Sequence, residues 1–417
     1  MAMRIRKIEK SVASGAQTIT AHIDNLTFWI RFPEDLDVRL SDASPFVISA
    51  LAPAMMRGED IVVDDPYTVS PTLLDNLPEV QAIYTTWNPV FKPVNVRGSR
   101  VEPAPRDGSV CSFFSGGVDS TYSLLTHRDE ISHLVVINGF DFDMPVDDWV
   151  YFVNRNRTLA EKFGKRLVPV ETNRRSFNAA FGLSGYVNFG ASLATIGQLL
   201  GFSKTLVSGS ATYESLVPCG SHPLVDPLYG TASSTVVHTG LEADRTAKLK
   251  LIQSNRDALE NLWVCWKSPR VNCGKCSKCL RTFVSMQLNG INDFPFAHRP
   301  RIKDIRRITI RNREILTFFE HFLRDAKQKN QRQLARELSR LLFFTKLRML
   351  LNDLEQTYFR KFRAWRHRRK PEGDDLVSVN LEPRYSDENT IRHHRELLHR
   401  GYDQEVTGQG SYFHGER

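Results

Sequence analysis

Two stretches of the chain place reactive residue types at spacings that can do chemistry. The first is Phe114-Ser-Gly-Gly-Val-Asp-Ser120. Gly116 and Gly117 carry no side chain to hold an anion away from the backbone. Successive N–H groups can therefore converge on one phosphate, and a helix starting there adds positive potential. Ser115 and Ser120 offer hydroxyl donors. Asp119 would repel a phosphate unless it caps the helix or holds a divalent cation, which suggests Mg2+. No Gly-Lys-Ser/Thr follows, so this is not the Walker type of loop. The second stretch holds Cys265, Cys273, Cys276 and Cys279, four of the six cysteines. Two-residue spacers let thiolates face one ion, Gly274 eases the turn, and four sulfurs close a tetrahedral Zn2+ site. Closed coordination leaves no place for water, so the expected role is structural. An iron–sulfur cluster is the alternative.

Elements must position these groups. The apolar run before the loop reads as a buried strand, and Val118, Tyr122 and Leu125 follow at helical spacing. From residue 109 strand and helix alternate, with strands expected at 110–114, 134–137, 167–170, 205–208 and 235–238. One crossover helix carries Trp149, Phe152, Leu159 and Phe163 and stops at Gly164. Short apolar strands with helical crossovers predict an α/β fold, a parallel sheet with helices on both faces. Ligands of such sheets sit at the carboxyl ends of strands. The phosphate loop lies at one such end, and residues 138–143 and 208–212 lie at two others. Asp141 and Asp143 are either metal or nucleotide contacts or a turn that caps the next helix.

The long polar loop 208–230 is expected to be a substrate lid. In it Ser210, Glu214, His222 and Asp226 are the candidates to meet a substrate. Cys219 and His222 would need a third, orienting group to act as nucleophile and base. Arg245 and Lys248, on the helix after the fifth strand, are candidates to reach a departing pyrophosphate.

A chain of 417 residues is long for one core, so two or three domains are expected. Its 41% hydrophobic and 25% charged residues are those of a soluble globular protein. The first ten residues hold no long apolar run, and the greasiest stretch, 341–351, is broken by Lys346 and Arg348. Neither a signal peptide nor a membrane span is expected, which places the protein in the cytoplasm with reduced thiols. The expected layout is a small α+β domain at 1–105, a Pro-rich linker at 101–108, a nucleotide-binding domain with the metal site at 109–298, a basic helical region at 299–370 and a polar, flexible tail at 371–417. Residues 301–370 hold 21 Lys plus Arg against 7 Asp plus Glu, a surplus larger than the net +9 of the whole chain. The basicity belongs to that segment. Its helices should bury Leu334, Leu338, Leu341 and Thr345 and expose Arg336, Arg340 and Lys346. Residues 359–370 interleave seven cations with three aromatics, which suits nucleic acid or a protein partner.

The string 114–120 resembles the signature of the PP-loop ATP pyrophosphatases, which cleave ATP between the α and β phosphates. With the later Cys-x7-Cys-x2-Cys-x2-Cys, residues 109–290 resemble the 7-cyano-7-deazaguanine synthase family. The resemblance implies an adenine nucleotide α-hydrolase-like (HUP-type) fold. It implies an ATP loop of Phe114, Ser115, Gly116, Gly117, Val118, Asp119, Ser120, Thr121, Tyr122, Ser123 and Leu124, with Ser115 and Asp119 in catalysis, Phe140 at the adenine seat and the four cysteines on zinc. The implied chemistry is adenylation of a carboxylate, release of pyrophosphate and attack by ammonia or an amine. The chain departs from the synthase in its long extensions, and a Leu-Val-Pro-Cys-Gly-Ser-His-Pro stretch at 216–223 replaces the Tyr-Pro-Asp-Cys-Arg of the deazaguanine pocket. Adenylation is therefore a firmer expectation than the deazaguanine substrate. Enlarged relatives occur in bacterial anti-phage defence operons, where the substrate can be a protein partner. Two further readings are a tRNA-modifying PP-loop enzyme, with Cys219 as its reactive thiol, and a non-catalytic nucleotide-binding assembly protein.

Overall fold

A computed structural model of the chain describes residues 2–105, 108–141, 143–292, 294, 296–310 and 313–358; the basic run 359–370 and the tail 371–417 lie outside the described residues. The described chain divides into two compact units, one of residues 2–209 and 218–241, the other of 210–217 and 242–358.

The first unit opens with an antiparallel meander, β1 (Ala2–Ala13), β2 (Ala16–Ile23) and β3 (Leu26–Pro33). Burial along β2 alternates, as it must in a strand with one face on a core. Helix α1 (Ser44–Arg57), β4 (Asp60–Val63), β5 (Thr68–Val69), α2 (Pro71–Trp87), β6 (Val96–Arg97) and β7 (Ser99–Arg100) follow. The alternating part is β8 (Val110–Phe113), α3 (Val118–Thr126), β9 (His133–Asn138), α4 (Val146–Lys162), β10 (Arg166–Thr172), α5 (Arg174–Ala180), α6 (Phe189–Leu199), β11 (Lys204–Ser208) and β12 (Thr235–Thr239). All four residues of β8 are buried, the pattern of a strand covered on both faces.

Ten strands form one sheet in the order β12-β11-β8-β9-β10-β3-β2-β1-β4-β6, while β5 and β7 pair separately. The sheet is mostly parallel, and β8 to β12 are parallel throughout. The chain runs outward from β8 through β9 to β10, then returns to lay β11 on the other side of β8. That reversal lies at the carboxyl ends of β8 and β11, the place where such sheets bind ligands.

Residues 2–100 contribute to the same sheet and core. Glu171 and Thr172 of β10 pair antiparallel with Arg31 and Ile30 of β3. The Asn173 side chain extends the join, accepting from the Trp29 N–H at 2.8 Å and donating to the Thr27 carbonyl at 2.8 Å. Phe28 meets Phe177 with ring centroids 5.1 Å apart, and Ser49 meets Thr195 at 2.9 Å where α1 lies on α6. The stretch read as a linker is pinned. Glu102 accepts from Ser70, from the N–H and hydroxyl of Thr72 at the start of α2, and from the Ala232 N–H. Burial opposes ionisation of Glu102, but the bonds from Ala232, Ser70 and Thr72 outweigh it and lower its pKa below the ordinary value.

The second unit contains α7 (Arg245–Gln253), α8 (Arg256–Glu260), the cysteine turns, α9 (Ser277–Leu288), a 3-10 segment Ile302–Arg307, α10 (Arg313–Gln328) and α11 (Arg332–Tyr358). Its core joins Leu280, Val284 and Leu288 of α9 to Ile305, Phe319 and Phe322, and to Leu334, Leu338 and Leu341 of α11. Thr345 is buried on the same stripe, while Arg336, Arg340 and Lys346 are exposed. Among the described residues no helix is long and apolar enough to cross a membrane.

Candidate nucleotide loop and metal centre

β8 delivers the chain to the strand reversal and α3 leads it away, so residues 114–117 form the turn between them. Gly116 sits at φ +71°, a conformation that costs most other residues about 1–2 kcal/mol. Gly117 stands at the N-cap position and offers no side chain to cap the helix. Ser115 is exposed, Gly117 and Asp119 are half-buried and Gly116 is buried, so the turn presents mainly Ser115 to solvent. Ser120 stiffens it from below: its Oγ accepts the Ser115 N–H at 3.3 Å and donates to the Gly117 carbonyl at 3.3 Å. Ser115 Oγ accepts the Gly117 N–H at 3.3 Å. Further along α3, the Ser123 hydroxyl meets that of Thr239 at 2.7 Å, tying the helix to the end of β12. Phe114, Val118, Thr121, Tyr122 and Leu124 are buried and serve as the packing behind the turn.

At the end of β9, Gly139 turns the chain at φ +81°. The Asn138 side chain holds the loop, accepting the Met144 N–H at 2.8 Å and donating to the Met144 carbonyl at 3.3 Å. The Phe140 ring is buried against Phe189, edge to face at 4.8 Å, with the Arg174 guanidinium over it at 4.1 Å. Arg174 is fully buried, and burial pushes its pKa down to about 10. It donates to Ser192 and to the carbonyls of Phe140 and Gly185, fixing the loop beyond β9 from inside. Asp143 pairs with Arg175 at 2.7 Å on the surface, and Asp141 is exposed.

The loop 208–230 is shared between the units: Ser210 and Glu214 belong to the second, His222 and Asp226 to the first. Glu214 is exposed and lies 3.6 Å from Arg324. Asp226 is fully buried. Its carboxylate accepts from Ser221 Oγ at 2.7 Å, from His238 Nε2 at 2.7 Å and from the His222 N–H at 3.2 Å. His222 is buried, its ring edge-on to Trp87 at 5.0 Å, and its Nδ1 accepts the Leu224 N–H at 3.1 Å. Burial lowers its pKa below 6.5. These bonds occupy Asp226 and His222 within the loop and its anchor on β12. Cys219, half-buried, donates to the Ser221 carbonyl at 3.0 Å. The remaining cysteine, Cys111, lies inside the sheet, where burial pushes its thiol up to about 12, too high for a nucleophile. Sequence reading passed over Ser221, His238 and Arg174. His238 stands one residue before the end of β12, and that position was the available signal.

In the second unit the four candidate ligand sulfurs come together. The Sγ atoms of Cys265, Cys273, Cys276 and Cys279 all lie within 4.8 Å of one another, with Cys265 to Cys276 at 4.0 Å and Cys273 to Cys279 at 3.9 Å. Four sulfurs about 2.3 Å from a central ion stand about 3.8 Å apart, so the cluster can hold a metal ion such as zinc. Main-chain N–H groups already point at the sulfurs: Lys267 at Cys265, Lys275 and Cys276 at Cys273, and Cys279 at Cys276, all at 3.3–3.4 Å. Cys276 is drawn down to about 4 by the Cys279 thiol, helped by the N–H groups of Cys279 and Trp266, while that same contact pushes Cys279 up. Gly274, at φ +71°, is obligatory, because a Cβ there would lie 1.8 Å from the His298 carbonyl. Asn272 locks the turns, accepting the Val264 N–H at 2.8 Å and donating to the Leu262 carbonyl at 2.9 Å. Arg245 and Lys248 are buried on α7, with Arg245 donating to Thr282 of α9 at 3.2 Å.

Comparison of the chain with family models, with curated proteins and with solved structures returns no match.

Proposed function

We propose that residues 114–120 grip the phosphates of ATP and that the protein is an AMP- and pyrophosphate-forming enzyme. Its reaction would be adenylation of a carboxylate for attack by ammonia or an amine. The observation that carries this reading is the placement of a Ser-Gly-Gly turn, with Ser115 exposed and Gly116 left-handed, at the strand reversal of a parallel sheet and at the start of α3. Main-chain N–H groups of the turn and the Ser115 hydroxyl would bind phosphate oxygens. Asp119 would hold Mg2+, which offsets charge on the phosphates and the departing pyrophosphate. The substrate carboxylate attacks the α phosphorus, the bond to the bridging oxygen breaks, and pyrophosphate leaves with that electron pair. The acyl-adenylate then yields its acyl group to nitrogen and releases AMP.

Because the Phe140 ring is packed between Phe189 and Arg174, its face is not assigned to adenine in this reading. The HUP-type family and the likeness to 7-cyano-7-deazaguanine synthase belong to this proposal, as does a Zn2+ ion on the four cysteines acting as a structural tie. The test is isotope exchange between pyrophosphate and ATP with candidate carboxylates, on wild type and Asp119→Asn. The expected loss is about 100-fold or more, the scale on which one electrostatic stabiliser acts. Equal exchange by both proteins would end the reading.

A further inference from the structure

The second unit carries a groove of about 660 Å3 along the 3-10 segment Ile302–Arg307 and α11. Four arginines line it, Arg306, Arg307, Arg340 and Arg348, together with Phe344 and Thr345. We propose that this groove binds single-stranded nucleic acid, its phosphates on the arginines and a base on Phe344. The proposal does not depend on the nucleotide chemistry of the first unit.

Local charge favours an anion. Glu337, buried beneath the groove, takes two bonds from Arg306 and lies 3.4 Å from Arg340. Asp304, also buried, lies 3.7 Å from both Arg307 and Arg301. Arg348 donates to the Ile310 carbonyl at 2.6 Å, a contact that neutralises nothing. Among the described residues the four arginines that line the groove thus meet two carboxylates, which leaves a surplus of positive charge at the groove. The same bonds hold the guanidinium groups in place, so little side-chain entropy remains to be lost when a phosphate arrives.

The aromatic residue decides the class of anion. Phe344 is 65% exposed on the rim, and Phe343 beside it is 63% exposed, with their ring centroids 5.4 Å apart. A cationic track beside accessible ring faces is the arrangement that binds unpaired bases, since every base presents a face to stack. An acidic peptide would satisfy the arginines and leave the rings without a purpose. The groove also falls within the usual range of ligand-site volumes, about 300–1,000 Å3, room for a short backbone segment and one base but too small for a duplex.

The test uses the full-length protein and a fluorescein-labelled oligo-dT of about 12 nucleotides, a length within the span of single-strand sites. Fluorescence anisotropy should show saturable binding whose log Kd rises with log salt at a slope of about 2, for three phosphate contacts. Phe344→Ala should weaken binding about tenfold with little change in that slope. Arg307→Gln with Arg348→Gln should lower both affinity and slope, whereas Lys162→Gln, on a helix of the other unit, should change neither. Absence of binding at low salt, or indifference to the groove variants, overturns the proposal. So does tighter binding to a polyglutamate peptide or to vesicles containing phosphatidylserine. Because the slope is read on the wild-type protein, the test stands even if a variant fails to fold.

Discussion

At Gly139 a methyl group would lie 1.9 Å from the Thr172 carbonyl oxygen, and the residue already sits at φ +81°. Neither strain can relax, because the neighbouring loop is held by Asn138 and Arg174. Gly139→Ala should therefore cost about 2 kcal/mol or more, read as a lower urea midpoint with an unchanged slope. His222 is a second test at this scale. Its pKa in the fold lies below the ordinary 6.5, so both folded and unfolded chains are neutral there above that pH. Below it the unfolded chain takes up the proton first, and stability is lost as pH falls through the folded value. Of the groups facing the ring, Asp226 moderates the effect by favouring the charged form, while His238 and the Leu224 N–H, which already occupies Nδ1, reinforce it. Urea midpoints should fall between about pH 7.5 and about pH 5.5, and His222→Gln should flatten that fall.

At the scale of elements, the cysteine turns and α9 depend on one another. Cys276 is the N-cap of α9 and accepts the Cys279 N–H, so a candidate ligand is also the helix start. The helix then supplies Leu280, Val284 and Leu288 to the core of the second unit. Metal binding should consequently appear as folding energy of that unit. One zinc per chain is expected by elemental analysis. Removing it with a strong chelator, or introducing Cys273→Ser, should open residues 262–300 to limited proteolysis. Visible absorption from bound iron in place of zinc would mark the cluster alternative. The cysteine spacing was legible because four thiolates on one ion need chain reversals of that length. The Asn272 lock was not, because it joins main-chain atoms whose meeting only the folded turn determines.

At the scale of the whole molecule, the first hundred residues complete a sheet whose remaining strands lie beyond residue 109. Phe28, Phe46, Phe177 and Phe181 belong to one core, and Glu102 bonds the start of α2 to Ala232. Deleting residues 1–105 would uncover that core and the edge of β10, a row of unpaired backbone groups. The truncated chain is expected to aggregate on expression, and supplying residues 1–105 as a separate chain should restore soluble material. A soluble, monomeric truncated chain with native-like circular dichroism would contradict the shared core.

Local chemistry was decided by the sequence alone: adjacent glycines that turn the chain between a strand and a helix, cysteines spaced so that they could hold one ion, and apolar runs of strand length between helical periods. All of these act over a few residues, and the five strands from β8 to β12 could be placed from them. The tertiary structure decided what depends on residues far apart in the chain. It joined β3 to β10 through two residue pairs, buried Asp226 against His238, filled the face of Phe140 with Arg174, and gathered the arginines of α11 with those of residues 302–307. Such contacts leave no periodic trace in sequence, because each is fixed by the packing of whole elements.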